Sequence, residues 1–80
     1  MKVQILGTGC ARCKLLEEHA RQAIAEHHID DAEIEKITAM EDITRMGVMA
    51  TPGLAIDGVV KSAGRVLTKD QIADFLTRTD

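Results

Sequence analysis

Eighty residues carrying a net charge of −3 suffice for one small domain, read as residues 1–80, with a limited core. Phe75 is the only aromatic side chain, so the core must be aliphatic, and base stacking is excluded as a function. With no basic cluster either, nucleic acid is not an expected partner. No apolar run reaches membrane-spanning length, and Gly7 interrupts the first apolar stretch before it could serve as a signal peptide; the expected location is cytoplasmic, with no membrane partner.

Lys2 to Leu6 is short, apolar and partly β-branched, and Gly7 and Gly9 end it, which predicts a buried strand. Cys10 to His28 follows as a helix, with Leu16, Ala20, Ala23, Ile24 and His27 on one apolar stripe. Asp30-Asp31 is the expected break. Ala32 to Ile37 reads as a second strand with Ile34 and Ile37 as its apolar residues. Thr38 and Glu41 have capping-box spacing, so a short helix is expected from there to about Met46, with Gly47 at its left-handed end. Gly53 to Ile56 is a third strand, Asp57-Gly58 a two-residue hairpin signal, and Val59 to Ala63 a fourth strand. Thr68 with Gln71 is a second capping box, flanked by Leu67 and Ile72 as a hydrophobic staple. The last helix is expected to run to about Thr77 and to bury Ile72, Phe75 and Leu76. The order is β-α-β-α-β-β-α. A right-handed crossover makes the first two strands parallel neighbours and the hairpin adds an antiparallel pair, so the fold class is α/β, a mixed four-stranded sheet flanked by helices.

The chemistry concentrates in Cys10-Ala11-Arg12-Cys13, the only two cysteines of the chain, placed where the first strand hands over to the first helix. Two thiols at this spacing can close and open a disulfide or capture a soft metal. A helix start offers unpaired N–H groups and the positive end of the macrodipole. Cys10, expected at the first helical position with Gly9 or Thr8 as cap, should therefore ionise below the free-thiol value of about 8.5. Arg12 and Lys14 are expected to push it the same way. Cys13, one turn further in, should be more buried and closer to an ordinary thiol. That asymmetry makes Cys10 the attacking sulfur and Cys13 the resolving one. Gly7 and Gly9 would turn the backbone sharply and leave the Cys10 sulfur uncovered. Thr51-Pro52 is the second site-like feature: a proline just before a strand donates no ladder hydrogen bond and tends to fix a turn or a cis bond.

On these residues the chain resembles the thioredoxin superfamily, and more closely its small thioredoxin-like or glutaredoxin-like redox-active disulfide proteins. The resemblance spans essentially the whole chain. It rests on Gly7-Thr8-Gly9-Cys10-Ala11-Arg12-Cys13, on Gly47-Val48-Met49-Ala50-Thr51-Pro52 and on Ile56-Asp57-Gly58. It implies a minimal thioredoxin-like fold and thiol–disulfide oxidoreductase activity on protein disulfides, with Cys10 as nucleophile and Cys13 as resolving thiol. It implies further that Pro52 is the family's cis-proline, packed beside the cysteines and keeping metals out. Thr51 would offer backbone hydrogen bonds to a bound peptide or glutathione, and Gly9, Ala11 and Arg12 would complete the substrate contacts. No cofactor is implied beyond the Cys10–Cys13 disulfide. The implied partners are a disulfide-containing protein and a thioredoxin-reductase-like enzyme or low-molecular-weight thiol as reductant. The chain departs from full-length thioredoxins in lacking their leading strand and helix, in placing Gly9 before Cys10, and in carrying Ala11-Arg12 between the cysteines. The larger family's buried acid has no assigned counterpart. Ala63-Gly64-Arg65 matches the glutaredoxin Gly-Gly-acid element only in part.

Two other readings use the same cysteines. A copper or heavy-metal carrier also places Cys-x-x-Cys after a first strand, and two thiolates could hold Cu(I) or half of a zinc site. Such carriers end on a strand and give no role to Thr51-Pro52, and His19, His27 and His28 have no zinc-finger spacing. A non-catalytic interaction domain would explain the missing buried acid but not the retained thiols. His27 and His28 are expected to face solvent near a helix end, and His19 to lie on a helix flank. Met40, Met46 and Met49 read as core filler, with Met49 close enough to Pro52 to line the approach to Cys10.

Overall fold

The computed structural model describes residues 1–77. The elements follow the expected order: β1 (Lys2–Leu6), α1 (Ala11–Glu26), β2 (Glu33–Ile37), α2 (Met40–Arg45), β3 (Gly53–Ile56), β4 (Val59–Ala63) and α3 (Lys69–Thr77). The sheet order is β2-β1-β3-β4. β1 and β2 are parallel, as the crossover through α1 requires. β3 lies antiparallel to β1 with Leu6 opposite Gly53, and antiparallel to β4 across the hairpin. Asp57 and Gly58 both take positive φ, the backbone that a two-residue hairpin demands.

Strand alternation sorts the apolar side chains onto two faces. Val3, Ile5 and Leu54 meet Leu16, Ala20 and Ala23 of α1 and Ile72, Ala73 and Leu76 of α3. Leu6 and Ala55 meet Ile43 of α2 and Val48 on the other face. Helices therefore cover both sides of the sheet, with α1 and α3 together and α2 opposite.

Boundaries of α1, β2 and α2 differ from those expected. α1 stops at Glu26 rather than His28, with His27 as C-cap and exposed. His28 takes φ 53°, so the chain turns there without a glycine. The amide of Ile29 donates to the Ile24 carbonyl and that of His28 to the Ala25 carbonyl, the Schellman pattern, and Ile24 and Ile29 both pack on the core. That apolar contact ends the helix before Asp30. β2 consequently begins at Glu33, not Ala32, whose amide is drawn into the turn by the Ile29 carbonyl. α2 has Ala39 as N-cap with no side-chain cap, so the Thr38–Glu41 box does not form. The burial of Ile43 against Leu6 and Val48 accompanies a helix phase one residue later than the box would need. In α3, Ala73 takes a fully buried position and Phe75 is only half-buried.

The second capping box is present. The Thr68 hydroxyl accepts from the Gln71 amide at 3.2 Å, and the Gln71 side chain accepts from the Thr68 amide at 3.0 Å, with Leu67 and Ile72 both in the core. Thr68→Ala removes one half of this reciprocal pair. It is expected to cost about 1 kcal/mol, read as a fall of roughly 4–8 °C in the thermal midpoint of a domain this size.

Candidate active site

Cys10 is not the first residue of α1 but its N-cap, in extended backbone conformation. Its Sγ takes the place that a serine or aspartate oxygen holds in ordinary caps, accepting from the Cys13 amide at 3.3 Å. The two sulfurs lie 2.7 Å apart. Cys10 is exposed and Cys13 is buried.

Their acidities separate for identifiable reasons. Cys10 is held below its ordinary value first by the Cys13 thiol, which donates to it, and then by the backbone amides of Cys13 and Arg12. Cys13 is pushed up, first by burial and then by its hydrogen bond to Cys10. Hydrogen bonds thus dominate where the Arg12 and Lys14 charges were expected to help. The Arg12 guanidinium donates instead to the Gly64 carbonyl at 3.2 Å.

Gly9 and Gly7 divide the work assigned jointly to them. Gly9 has φ 94° and open space around it, so it makes the turn. Gly7 lacks positive φ, and its requirement is room. A Cβ there would overlap Cys13 Sγ and stand 3.0 Å from Cys13 Cβ, with Thr51 Cβ at 4.0 Å. The missing side chain of Gly7 is the space in which the buried thiol sits.

The loop before β3 closes the other side. The Thr51-Pro52 bond is cis, and Pro52 is among the largest fully buried side chains. The Pro52 carbonyl accepts from the Gly64 amide at 2.8 Å, and the space above Gly64 is bounded by Ala50 Cβ. Arg12, Gly64 and Pro52 are therefore joined in sequence by hydrogen bonds. Thr51 is half-buried, and its amide and carbonyl are engaged by no other described residue. The fold thus brings Gly9, Cys10, Ala11, Arg12 and Cys13 at the head of α1 to the same end of the sheet as Thr51 and Pro52. Met49 projects fully into solvent at 89% exposure rather than filling core, and Met40 is also exposed.

Two residues near Cys13 have no counterpart in the sequence reading. A small cleft beside the thiol is lined by Gly7, Gly9, Lys14, Glu17, Lys36 and Thr38, among others. Glu17, one helical turn beyond Cys13, accepts from Arg21 at 2.8 Å and lies 3.6 Å from Lys36. The Arg21 bond foremost, with Lys36 behind it, holds its carboxyl below the usual range. The i, i+4 spacing from Cys13 was visible in the sequence, but Lys36 reaches the cleft only through the parallel pairing of β2 with β1. His19 lies on the flank of α1 as expected, and there it bonds the Leu67 carbonyl through Nδ1 at 2.7 Å and ties α1 to the loop before α3. Among the described residues no group of three or more His, Cys, Asp or Glu side chains is arranged to hold a metal.

A thiol pair of unequal acidity at a helix start, on a mixed sheet with helices on both faces, defines a thioredoxin-like thiol–disulfide oxidoreductase. The family model described as thioredoxin domain matches residues 1–77. A thioredoxin of Methanothermobacter thermautotrophicus is 52% identical over 77 residues, covering 96% of this chain and 99% of that protein. A thioredoxin of Methanocaldococcus jannaschii is 36% identical over 74 residues, covering 92% and 84% respectively. The chain belongs to the thioredoxin family. No helix among the described residues is long and apolar enough to cross a membrane.

Proposed function

We propose that Cys10 attacks a disulfide of a protein substrate and that Cys13 resolves the product. The Cys10 thiolate bonds to one substrate sulfur, and the other substrate sulfur leaves with the electron pair as a thiolate. Cys13 then loses its proton and attacks Cys10 Sγ. The mixed disulfide breaks, the second substrate thiolate departs, and the Cys10–Cys13 disulfide remains. The substrate has gained two electrons and the protein has lost two. A reductase or a low-molecular-weight thiol restores the dithiol, and no further cofactor takes part. The compartment that suits this direction of transfer is the reducing cytoplasm.

The observation that carries this reading is the opposite displacement of the two thiols: an exposed sulfur capping a helix with its acidity raised, and a buried one with its acidity lowered. The free amide and carbonyl of Thr51 support an extended peptide lying beside Pro52, over the rim made by Gly9, Ala11 and Arg12.

The test is alkylation of the reduced protein as a function of pH, with each thiol followed by mass spectrometry. Thiolates react and thiols do not, so a depressed acid constant moves the rise in rate to lower pH. Cys10 is expected to reach half its limiting rate below the free-thiol value of about 8.5, and Cys13 above it. Coincident curves at the free-thiol value would sink the assignment of roles.

A further inference from the structure

We propose, building on the thiol–disulfide exchange assigned to Cys10 above, that the disulfide this protein acts on lies in an acidic segment of its partner. The inference starts from the distribution of charge. Net charge is −3, yet the three segments that build the site, residues 7–16, 43–56 and 58–68, contain no carboxylate. They contain Arg12, Lys14, Arg45, Lys61 and Arg65. Arg45 is neutralised by Asp42 at 3.2 Å. The other four have no carboxylate at salt-bridge distance among the described residues.

Arg12 and Lys14 stand beside the cysteines at the head of α1, and Lys61 and Arg65 line a groove between β4 and α3. Arg12 reaches the Gly64 carbonyl, which ties its guanidinium to the loop that carries Arg65 and, through the Gly64 amide, to Pro52. Lys14 shares the cleft on the Cys13 side with Lys36. The carboxylate there, Glu17, is shared between Lys36 and Arg21, so three cations including Lys14 face one anion. Glu18 lies one turn from Lys14 without pairing to it, and Asp74 lines the groove that holds Lys61 and Arg65. Glu41 and Asp42 stand in the first turn of α2 toward this end, Asp42 paired with Arg45. The excess acid sits at the other end of the sheet. Asp30 and Asp31 lie in the turn before β2, Glu33 begins that strand, and Asp57 bonds Lys2 at the start of β1.

A molecule so divided turns its positive, thiol-bearing end toward an anionic surface. Complementary fields of this kind raise association rates by about 10- to 1,000-fold at low salt and suppress partners of the wrong sign. Met49, standing free on the loop before Pro52, offers such a segment an apolar contact as well.

The experiment uses the full, reduced chain and three disulfide-linked peptides that differ only in their flanking residues, Glu, Gln or Lys. The second-order rate of disulfide exchange is measured near 0.01 M and near 1 M ionic strength, where screening lengths are roughly 30 Å and 3 Å. At low salt the Glu-flanked peptide should react at least about tenfold faster than the Lys-flanked one, and at high salt the ratio should approach unity. In the double variant Lys61→Glu, Arg65→Glu the low-salt preference should shrink several-fold or invert, with the Gln-flanked rate unchanged. Equal rates at low salt, or a preference that survives high salt, would overturn the inference. A double variant that slows all three peptides alike would also overturn it, because the cations would then tune the thiol rather than select the partner. If the Gln-flanked peptide is not reduced at all, the exchange reaction itself is wrong and the selectivity falls with it.

Discussion

Cys10→Ser is expected to abolish turnover of disulfide substrates, by at least about a thousandfold, since removing an activated nucleophile forfeits the covalent route. A serine hydroxyl at Cys10 could still cap α1, accepting from the Cys13 amide as the sulfur does. The fold should therefore persist while the chemistry disappears. Cys13→Ser should behave differently. Cys10 Sγ stays exposed and keeps the backbone amides of Cys13 and Arg12, so the first attack proceeds and stops at the mixed disulfide. Mixing each variant with a disulfide peptide and weighing the products separates the two. Cys13→Ser should accumulate a stoichiometric adduct on Cys10, and Cys10→Ser should form none on the first-attack timescale. Cys13→Ala, which removes the thiol donor that is the largest influence on Cys10, should also shift the Cys10 alkylation profile to higher pH. Adduct formation at Cys13 in the Cys10→Ser protein at a comparable rate would reverse the roles of the two sulfurs.

The parts of the fold that were legible in the sequence are those written by short-range chemistry. The bounds of β1, β3 and β4 follow from Gly7, from Pro52-Gly53 and from Asp57-Gly58, because each punctuating residue acts within one or two positions of itself. The Thr68–Gln71 box is equally local, and it forms as read. The misreadings arise where a tertiary contact competes with a local signal. His28 accepts a backbone conformation that favours glycine while Ile29 returns to the core beside Ile24, so the stop falls ahead of the acidic pair Asp30-Asp31. The Thr38–Glu41 box is a valid signal overruled by the packing phase of Ile43. At the site, the spacing of the thiols and the helix start were enough to predict unequal acidity, and its direction stands. Its cause differs, because one residue of phase converts Cys10 from a helical position into a cap, and a cap receives amide hydrogen bonds directly. The Lys36 side of the Cys13 cleft was illegible for a topological reason: 23 positions separate Lys36 from Cys13 in the sequence, and only the parallel register of β1 and β2 brings it alongside.

Gly7 carries the other large expected effect, because the restriction there is spatial on every side. Its amide donates to the Ile37 carbonyl at 3.0 Å, and the preceding Leu6 is held between Ile37 and Gly53 in the sheet, so the backbone has little freedom to retreat. Cys13 cannot retreat easily either: it is 4% exposed and its backbone belongs to the first turn of α1. A methyl group at position 7 must therefore displace the sulfur or part the helix from the strand. Overpacking of this kind costs about 1–3 kcal/mol, so Gly7→Ala should lower the urea midpoint of the reduced protein correspondingly. A displaced Cys13 also loses its geometry toward Cys10, so resolution of a mixed disulfide should slow and the difference in acidity between the thiols should narrow. Gly9→Ala is the informative comparison. It meets no atom within 4 Å but must hold φ near 94°, so its cost is backbone strain alone and Cys13 stays where it is. The Gly7 variant should therefore alter Cys13 alkylation and the resolving step, and the Gly9 variant should leave Cys13 alkylation alone. If Gly7→Ala keeps both the unfolding midpoint and the Cys13 pH profile of the parent, the buried thiol does not occupy the space that the glycine leaves.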